Sequence, residues 1–229
     1  TSDIHLDIEE NRRWFSDLSS DEYSDDVLII AGDISDQIDV LESCFQSISE
    51  KFSAVAFVPG NHDLWVARNK QDNSLEKYHF INAMASGYGI HTNPLHLNGI
   101  SIVGLQGWYD YSFGQPGKAI KQAWMDYVTC VWPDDMNEAA ITRYMTALND
   151  DHIHAQQSAM GTKRNTVISF SHFLPRIDLM PSYIPKKHRI LYPVLGSTII
   201  EDQVRQLAPT IHVYGHSHVN RDIEIDGIQ

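Results

Sequence analysis

The sequence predicts an α/β fold. Three observations carry that expectation: short apolar runs alternate with stretches of helical periodicity, each run stops at a turn or polar residue, and ionisable residues gather just past those stops. Residues 27–31 (VLIIA) end at Gly32, 54–58 (AVAFV) at Pro59-Gly60, 167–170 (VISF) at Ser171-His172, and 211–214 (IHVY) at Gly215. Each is short and rich in β-branched or aromatic residues, as buried strands are. Residues 100–103, before Gly104, form a further strand. Between the first two runs, Ile38, Leu41, Phe45, Ile48 and Phe52 recur at helical spacing with Cys44 on the same face, which predicts a crossover helix and a βαβ unit. Further helices are expected over 74–85, 118–128, 137–160 and 197–207, the last stopped by Pro209.

The chain has 229 residues, 42% hydrophobic and 21% charged, with no repeat and no Gly-, Pro- or Ser-rich linker, so one globular domain over 1–229 is expected. Seventeen Lys and Arg against 30 Asp and Glu give a net charge of −13, which works against duplex nucleic acid as a partner. No apolar run approaches the roughly 20 residues of a transmembrane helix. Cys44 and Cys130 are too few for a disulfide framework, so a reducing, cytoplasmic location is expected. The interval 64–165 concentrates aromatic residues, among them Trp65, Trp108, Tyr109, Trp124 and Trp132, and is read as part core and part cap or substrate-specificity segment. The chain opens on Ser2-Asp3-Ile4-His5 without a preceding apolar run and closes on an Asp226-Gly227 turn without a returning strand. Flanking strands are therefore expected to be missing.

Ligands of open α/β sheets bind beyond the carboxyl ends of the strands. Those ends carry Asp3-Ile4-His5, Gly32-Asp33-Ile34-Ser35-Asp36, Gly60-Asn61-His62-Asp63, Ser171-His172 and Gly215-His216-Ser217-His218. Imidazole, carboxylate and amide oxygen without thiolate suit Mn²⁺, Fe, Zn²⁺ or Ni²⁺. The donors outnumber one metal's needs, and two ions sharing a carboxylate would use them. Elsewhere His152 and His154 sit at a spacing that points them apart on a helix, and His212 alternates toward the core or a helix. Lys186-Lys187-His188-Arg189 is the one basic cluster, either a solvated loop or a receiver of phosphate or an anionic head group.

The ordered set of five blocks resembles the calcineurin-like metallophosphoesterase superfamily, with its pattern DxH, GDxxD, GNH(D/E), H and GHxH, and spans Asp3 to His218. The resemblance implies a four-layer α/β/β/α sandwich, two mixed sheets flanked by helices, with a dinuclear metal site at the strand carboxyl ends. It implies that Asp3, His5 and His218 hold one metal, that Asn61, His172 and His216 hold the other, and that Asp33 bridges them. Two such ions, Mn²⁺ foremost, supply a bridging hydroxide that attacks a small phosphomonoester or phosphodiester. His62 resembles the general acid, and Asp36 would fix its tautomer and raise its pKa. Asp36 could equally cap the Ile38 helix, and Asp63 could either support a ligand or be a plain loop carboxylate.

Departures from the pattern narrow the branch. Gln37 after Asp36 and Asp63 in place of Glu speak against the protein phosphatases, and Asp36 stands where purple acid phosphatases place a ferric Tyr ligand. The 102–111 stretch resembles a strand-and-Trp segment of small bacterial-type members, placing Trp108 and Tyr109 either near the metal site, against substrate, or in the core. The competing expectation is a catalytically silent scaffold for protein binding, although every catalytic residue is kept.

Overall fold

The computed structural model describes residues 1–134, 136–159 and 166–229. Its first helix, α1 (Glu9–Ser16), has no apolar periodicity to announce it. Phe15 alone is buried, while Glu9 and Glu10 in the first turn and Arg13 in the last complement the helix dipole. Strand β1 (Val27–Ala31), helix α2 (Ile38–Lys51) and strand β2 (Ala54–Val58) form the expected βαβ unit, β1 and β2 running parallel with Val27 opposite Ala54. The buried face of α2 is Leu41, Cys44, Phe45 and Ile48, so Cys44 is packing. Phe45 meets Phe57 of β2 edge-on at 5.2 Å, and burying each ring contributes about 1.5–3 kcal/mol.

The second sheet orders its strands β3 (Leu95–Leu97), β4 (Ile100–Leu105), β5 (Thr166–Ser171) and β6 (Ile211–Tyr214); β3 is antiparallel to β4 and the other pairs are parallel. Ala31, Ala56 and Val58 of the first sheet pack with Leu95, Ile102 and Phe170 of the second, so the sheets face one another across an apolar layer. Helices cover the outer faces: α2 and α3 (Ser74–Gly87) on one side, and α8 (Thr198–Leu207), with Ile200, Val204 and Leu207 buried, on the other. The layer order is the expected α/β/β/α. Among the described residues the first sheet is a purely parallel pair rather than a mixed one.

Two expected helices are broken, each by a buried polar side chain. The 118–128 pattern splits into α4 (Lys118–Ala123) and α5 (Asp126–Thr129), because Trp124 is extended and its indole N–H turns to the Asp126 carboxylate at 2.8 Å. The 137–160 pattern splits into α6 (Glu138–Ala147) and α7 (Asp150–Ala159), and its last residue lies outside the described residues. At that break Asn149 is buried, accepting from Gln106 N at 2.8 Å and donating to Gln203 Oε1 at 2.7 Å. Residues 160–165, the end of the aromatic-rich interval, are likewise outside the described residues. Within that interval β3 and β4 belong to the sheet itself, so only the remainder could form a cap.

Both ends lie along sheet edges. Thr1 N–H donates to Ile29 O at 2.8 Å and its carbonyl accepts from Ala31 N at 2.9 Å, which hands Asp3 and His5 to the loop after β1. At the other end Asp226 and Gly227 take φ of 52° and 80°, the mirror-image turn that Asp-Gly favours, and Gln229 bonds to the main chain beside β6. No helix among the described residues is long and apolar enough to cross a membrane.

Candidate metal centre

Every strand-end block converges on one place. Gly32 after β1 has φ +79° and its backbone lies so close to the β2 loop that a Cβ there would stand 2.5 Å from Gly60 N and 2.7 Å from His172 Nδ1. A Cβ on Gly60 would run into the Asp33 carboxylate. The glycines that open these blocks let main chain pack directly on the Asp33 and His172 side chains. Asp3, His5, Asp33, His216 and His218 all have positive φ, between 40° and 65°, a backbone state that costs L-residues energy and clusters at functional sites.

Three overlapping groups result: Asp3, His5 and His218; His5, Asp33 and His62; and Asp33, His172 and His216, the donor atoms of each lying within 4.8 Å of one another. His218 Nε2 is 3.3 Å from Asp3 Oδ1, His5 Nε2 is 3.3 Å from His218 Nε2, and His172 Nε2 is 3.4 Å from Asp33 Oδ2. Asn61 Oδ1 and His216 Nδ1 stand 3.0 and 3.1 Å from His172 Nε2. The seven expected ligands are therefore together, with Asp33 in the middle.

Outer partners aim these rings. His172 Nδ1 donates to Ala31 O at 2.8 Å and His216 Nε2 donates to Val194 O at 2.9 Å, so in each ring the other nitrogen faces inward. The electrostatics favour positive charge there. Burial alone would lower the pKa of His172, but Asp33 overcomes it and raises the ring to about 9. Burial also opposes ionisation of Asp3, yet its His218 hydrogen bond and the His172 charge hold it at about 2. His216, pushed down to about 3 by burial and by His172, stays neutral. Carboxylates, neutral imidazoles and an amide oxygen, oriented from behind and gathered around one central carboxylate, fit a pair of transition or divalent cations. A carboxylate pair strong enough to hold a proton on buried His172 would bind cations in its place.

Asp63 resolves to support. It is fully buried and accepts four main-chain N–H groups: Asp33 at 2.9 Å, Ile34 at 2.8 Å, Ser35 at 3.1 Å and Gly60 at 2.8 Å. These bonds clamp the Asp33 loop to the Asn61 loop. Burial and the Asp33 charge nevertheless push its carboxyl up to about 6.

His62 lies on the open side of the group, stacked on Trp65 at 3.7 Å between ring centroids, with Nε2 4.0 Å from Asp33 Oδ2. The expected hold by Asp36 is not what the structure shows. The Asp36 carboxylate faces Arg68 Nε at 3.6 Å and makes no hydrogen bond to His62 among the described residues, because its main-chain carbonyl is anchored by Lys77 Nζ at 2.6 Å and Asn69 Nδ2 at 2.8 Å. Nor does Asp36 cap α2, whose N-cap is Gln37 without a side-chain bond. The His62 pKa is lowered rather than raised, with burial the largest cause and Asp33, not Asp36, the main opposing charge.

Trp108 and Tyr109 are corrected to the core. They are 0% and 1% exposed, too enclosed to meet substrate directly, and pack on Phe173 at 5.1 and 6.0 Å, whose ring backs His172 and His216. His212 is half-buried on β6, bonded to Ser169 Oγ at 2.7 Å and Ser171 Oγ at 3.2 Å.

Two positioning residues escaped the sequence pattern. Lys77, buried on α3, bonds the carbonyls of Asp36 and Trp65 and so ties the ends of two site loops. Asp126 is buried behind Asn61 and accepts from Asn61 Nδ2 at 2.8 Å, Trp65 Nε1 at 2.7 Å and Trp124 Nε1 at 2.8 Å. The first of these bonds fixes the amide so that its oxygen faces the metal site. Neither residue sits in a motif; an unexplained Asp between two aromatics in 124–127 was the only available signal. Beside the centre, a cleft of about 750 Å³ extends from Asp3 and His218 past Asn220 and Arg221.

A family model described as calcineurin-like phosphoesterase matches residues 1–220. The acyl-carrier-protein phosphodiesterase PptH of Mycobacterium tuberculosis is 24% identical over 233 residues, covering 90% of this chain and 67% of that protein. The crystal structure of phosphopantetheinyl hydrolase (PptH) from the same organism superposes with a TM-score of 0.72 at 23% identity, covering 99% of this chain and 84% of that one. At that identity the superposition shows the shared fold.

Proposed function

Because the chain belongs to the calcineurin-like phosphoesterase family and is a metal-dependent phosphoric ester hydrolase, we propose that it cleaves a phosphodiester joining a pantetheine-like arm to a protein hydroxyl. Against the scaffold alternative stands the full set of expected donors, gathered in one place. The observation that carries the reaction is Asp33, whose carboxylate lies within 4.8 Å of histidine nitrogens in two separate groups. Asp3, His5 and His218 would hold one ion, Asn61, His172 and His216 the other, and Asp33 both. When bound, the ions supply an activated water and neutralise charge on the phosphoryl oxygens.

This chain's residues supply the rest. Asp63 keeps the Asp33 and Asn61 loops in register, and Asp126 keeps the Asn61 oxygen inward. The water oxygen forms the new bond to phosphorus while the bond from phosphorus to the leaving oxygen breaks. In its protonated form His62, open to solvent on one side and stacked on Trp65, delivers the proton that the leaving oxygen takes up. The products are a phosphomonoester and an alcohol. Which metals serve is left to the donor set, which admits Mn²⁺, Fe, Zn²⁺ or Ni²⁺.

The substrate class rests on the likeness to PptH over 90% of the chain and refines the sequence expectation of a small phosphoester. The adjoining cleft, about 750 Å³, lies within the range of about 300–1,000 Å³ that takes extended ligands. In this reading 1–229 is one domain, and the segment carrying Trp124 and Asp126 is the part of the aromatic-rich interval that serves the site. Intact-mass measurement of a phosphopantetheinyl carrier protein incubated with the enzyme and Mn²⁺ tests the proposal. Loss of the arm is expected; an unchanged mass alongside hydrolysis of bis-nitrophenyl phosphate would refute the substrate.

A further inference from the structure

The loop bearing His216 and His218 has a basic neighbour. Lys186, Lys187, His188 and Arg189 follow Pro185 in a short 3₁₀ segment, Lys186–Val194, which runs into the site itself: Val194 O accepts the His216 Nε2 hydrogen at 2.9 Å. His188 lines a small cavity of about 160 Å³ together with Ser217 and Val219, so the basic turn and the metal-site loop share a wall. All four basic side chains are exposed, and Tyr183 and Ile190, 75% and 54% exposed, flank them in sequence.

Some cations elsewhere are paired with carboxylates. Arg176 and Arg205 are held in a network with Asp178, Glu201 and Asp226. Among the described residues Arg189 is braced only by main-chain carbonyls, Ile184 O at 3.1 Å and Ser182 O at 3.0 Å. Lys186 and Lys187 form no ion pair among the described residues. On a chain of net charge −13, an unneutralised basic turn is a local reversal of the field, and it stands beside the site. Exposed aromatic and aliphatic groups next to Arg suit a protein surface. A lipid surface would call for a broad apolar face, which this short turn does not present.

We propose that the Lys186 to Arg189 turn is the docking surface for an acidic face of the protein that carries the scissile phosphodiester. The inference rests on the carrier-protein reading above and adds where that partner sits. Opposite charge would speed encounter and orient the arm toward Asp33, an effect that salt screens.

The test compares the Lys186→Glu/Lys187→Glu variant with wild type, both loaded with Mn²⁺, on a phosphopantetheinyl carrier protein and on bis-nitrophenyl phosphate. KM for the carrier protein should rise about tenfold or more, with kcat unchanged and the small diester cleaved as before. Added NaCl should raise the wild-type KM for the carrier protein and affect the variant less. An unchanged carrier-protein KM, or an equal loss on both substrates, overturns the docking surface. Lysine-dependent binding to phosphatidylserine vesicles with an unchanged carrier-protein KM overturns it in favour of a membrane. If wild type cleaves the small diester but leaves the carrier protein intact, the substrate reading fails and the surface with it, an outcome visible before any variant is made.

Discussion

Replacing Asp126 by Asn should weaken metal binding without touching any residue that could contact a metal. The Asp126 carboxylate accepts three hydrogen bonds, two at Oδ1 from Asn61 and Trp65 and one at Oδ2 from Trp124. Asparagine keeps one acceptor oxygen. If that oxygen retains Asn61 and Trp65, its new NH₂ meets the Trp124 indole N–H donor to donor. If it retains Trp124, the NH₂ faces Asn61 and drives that amide to turn its own nitrogen toward the metals. Either way at least one buried donor is left unsatisfied, at a cost of about 1–3 kcal/mol in stability. Losing the hold on a ligand from behind typically costs about 10–100-fold in metal affinity. Calorimetric titration of the apo protein with Mn²⁺ reads the affinity, and urea unfolding reads the stability. Near-ultraviolet circular dichroism should change as well, since two of the three donors are indoles. A variant that loses stability but binds Mn²⁺ as tightly as wild type would show that Asp126 supports the fold alone, and the argument for Asn61 orientation would fail.

Asp33→Asn should lose bound metal by elemental analysis, because an amide can neither span two cations nor offset their charge; retention of two ions would contradict the shared-ligand assignment. His62→Ala should keep its metal content and lose about 10²–10⁴-fold in kcat on alkyl diesters, with a smaller loss on nitrophenyl esters, whose leaving group needs no proton. Unchanged turnover of an alkyl diester would remove His62 from the acid role. His212 makes stability pH-dependent: burial lowers its pKa to about 3 in the folded chain, whereas an unfolded His takes a proton near about 6.5. Between those values the unfolded state binds more protons, so this contribution is complete above about pH 6.5 and is lost as pH falls toward 3, at about 1.4 kcal/mol per unit. Urea unfolding at pH 7 and pH 4 should show a smaller acid loss for His212→Gln than for wild type; equal losses would place the sensitivity elsewhere.

The sequence by itself determined the fold class and the donor residues that the candidate metal centre brings together. Each block is a strand end, a turn residue and one or two donors within a few positions, so spacing along the chain translates directly into geometry. Metal chemistry also restricts the donors to few residue types. Glycine at 32 and 60 belongs to the same local logic, since only a residue without Cβ lets those loops meet around Asp33 and His172. Tertiary structure decided what no local pattern encodes. Asp126 lies 65 residues from Asn61, and its role depends on Trp124 leaving the helix between α4 and α5. Trp108 and Tyr109 could have faced substrate or core; the burial of Phe173 against them placed both inside. Asp36 carries the motif's second acid, yet its carboxylate faces Arg68, and its carbonyl is held by Lys77 from a separate helix. Donors that bind metal are selected by chemistry and read from sequence. The groups that aim those donors are selected by packing, and a single polar residue acquires such a role only when distant elements close around it.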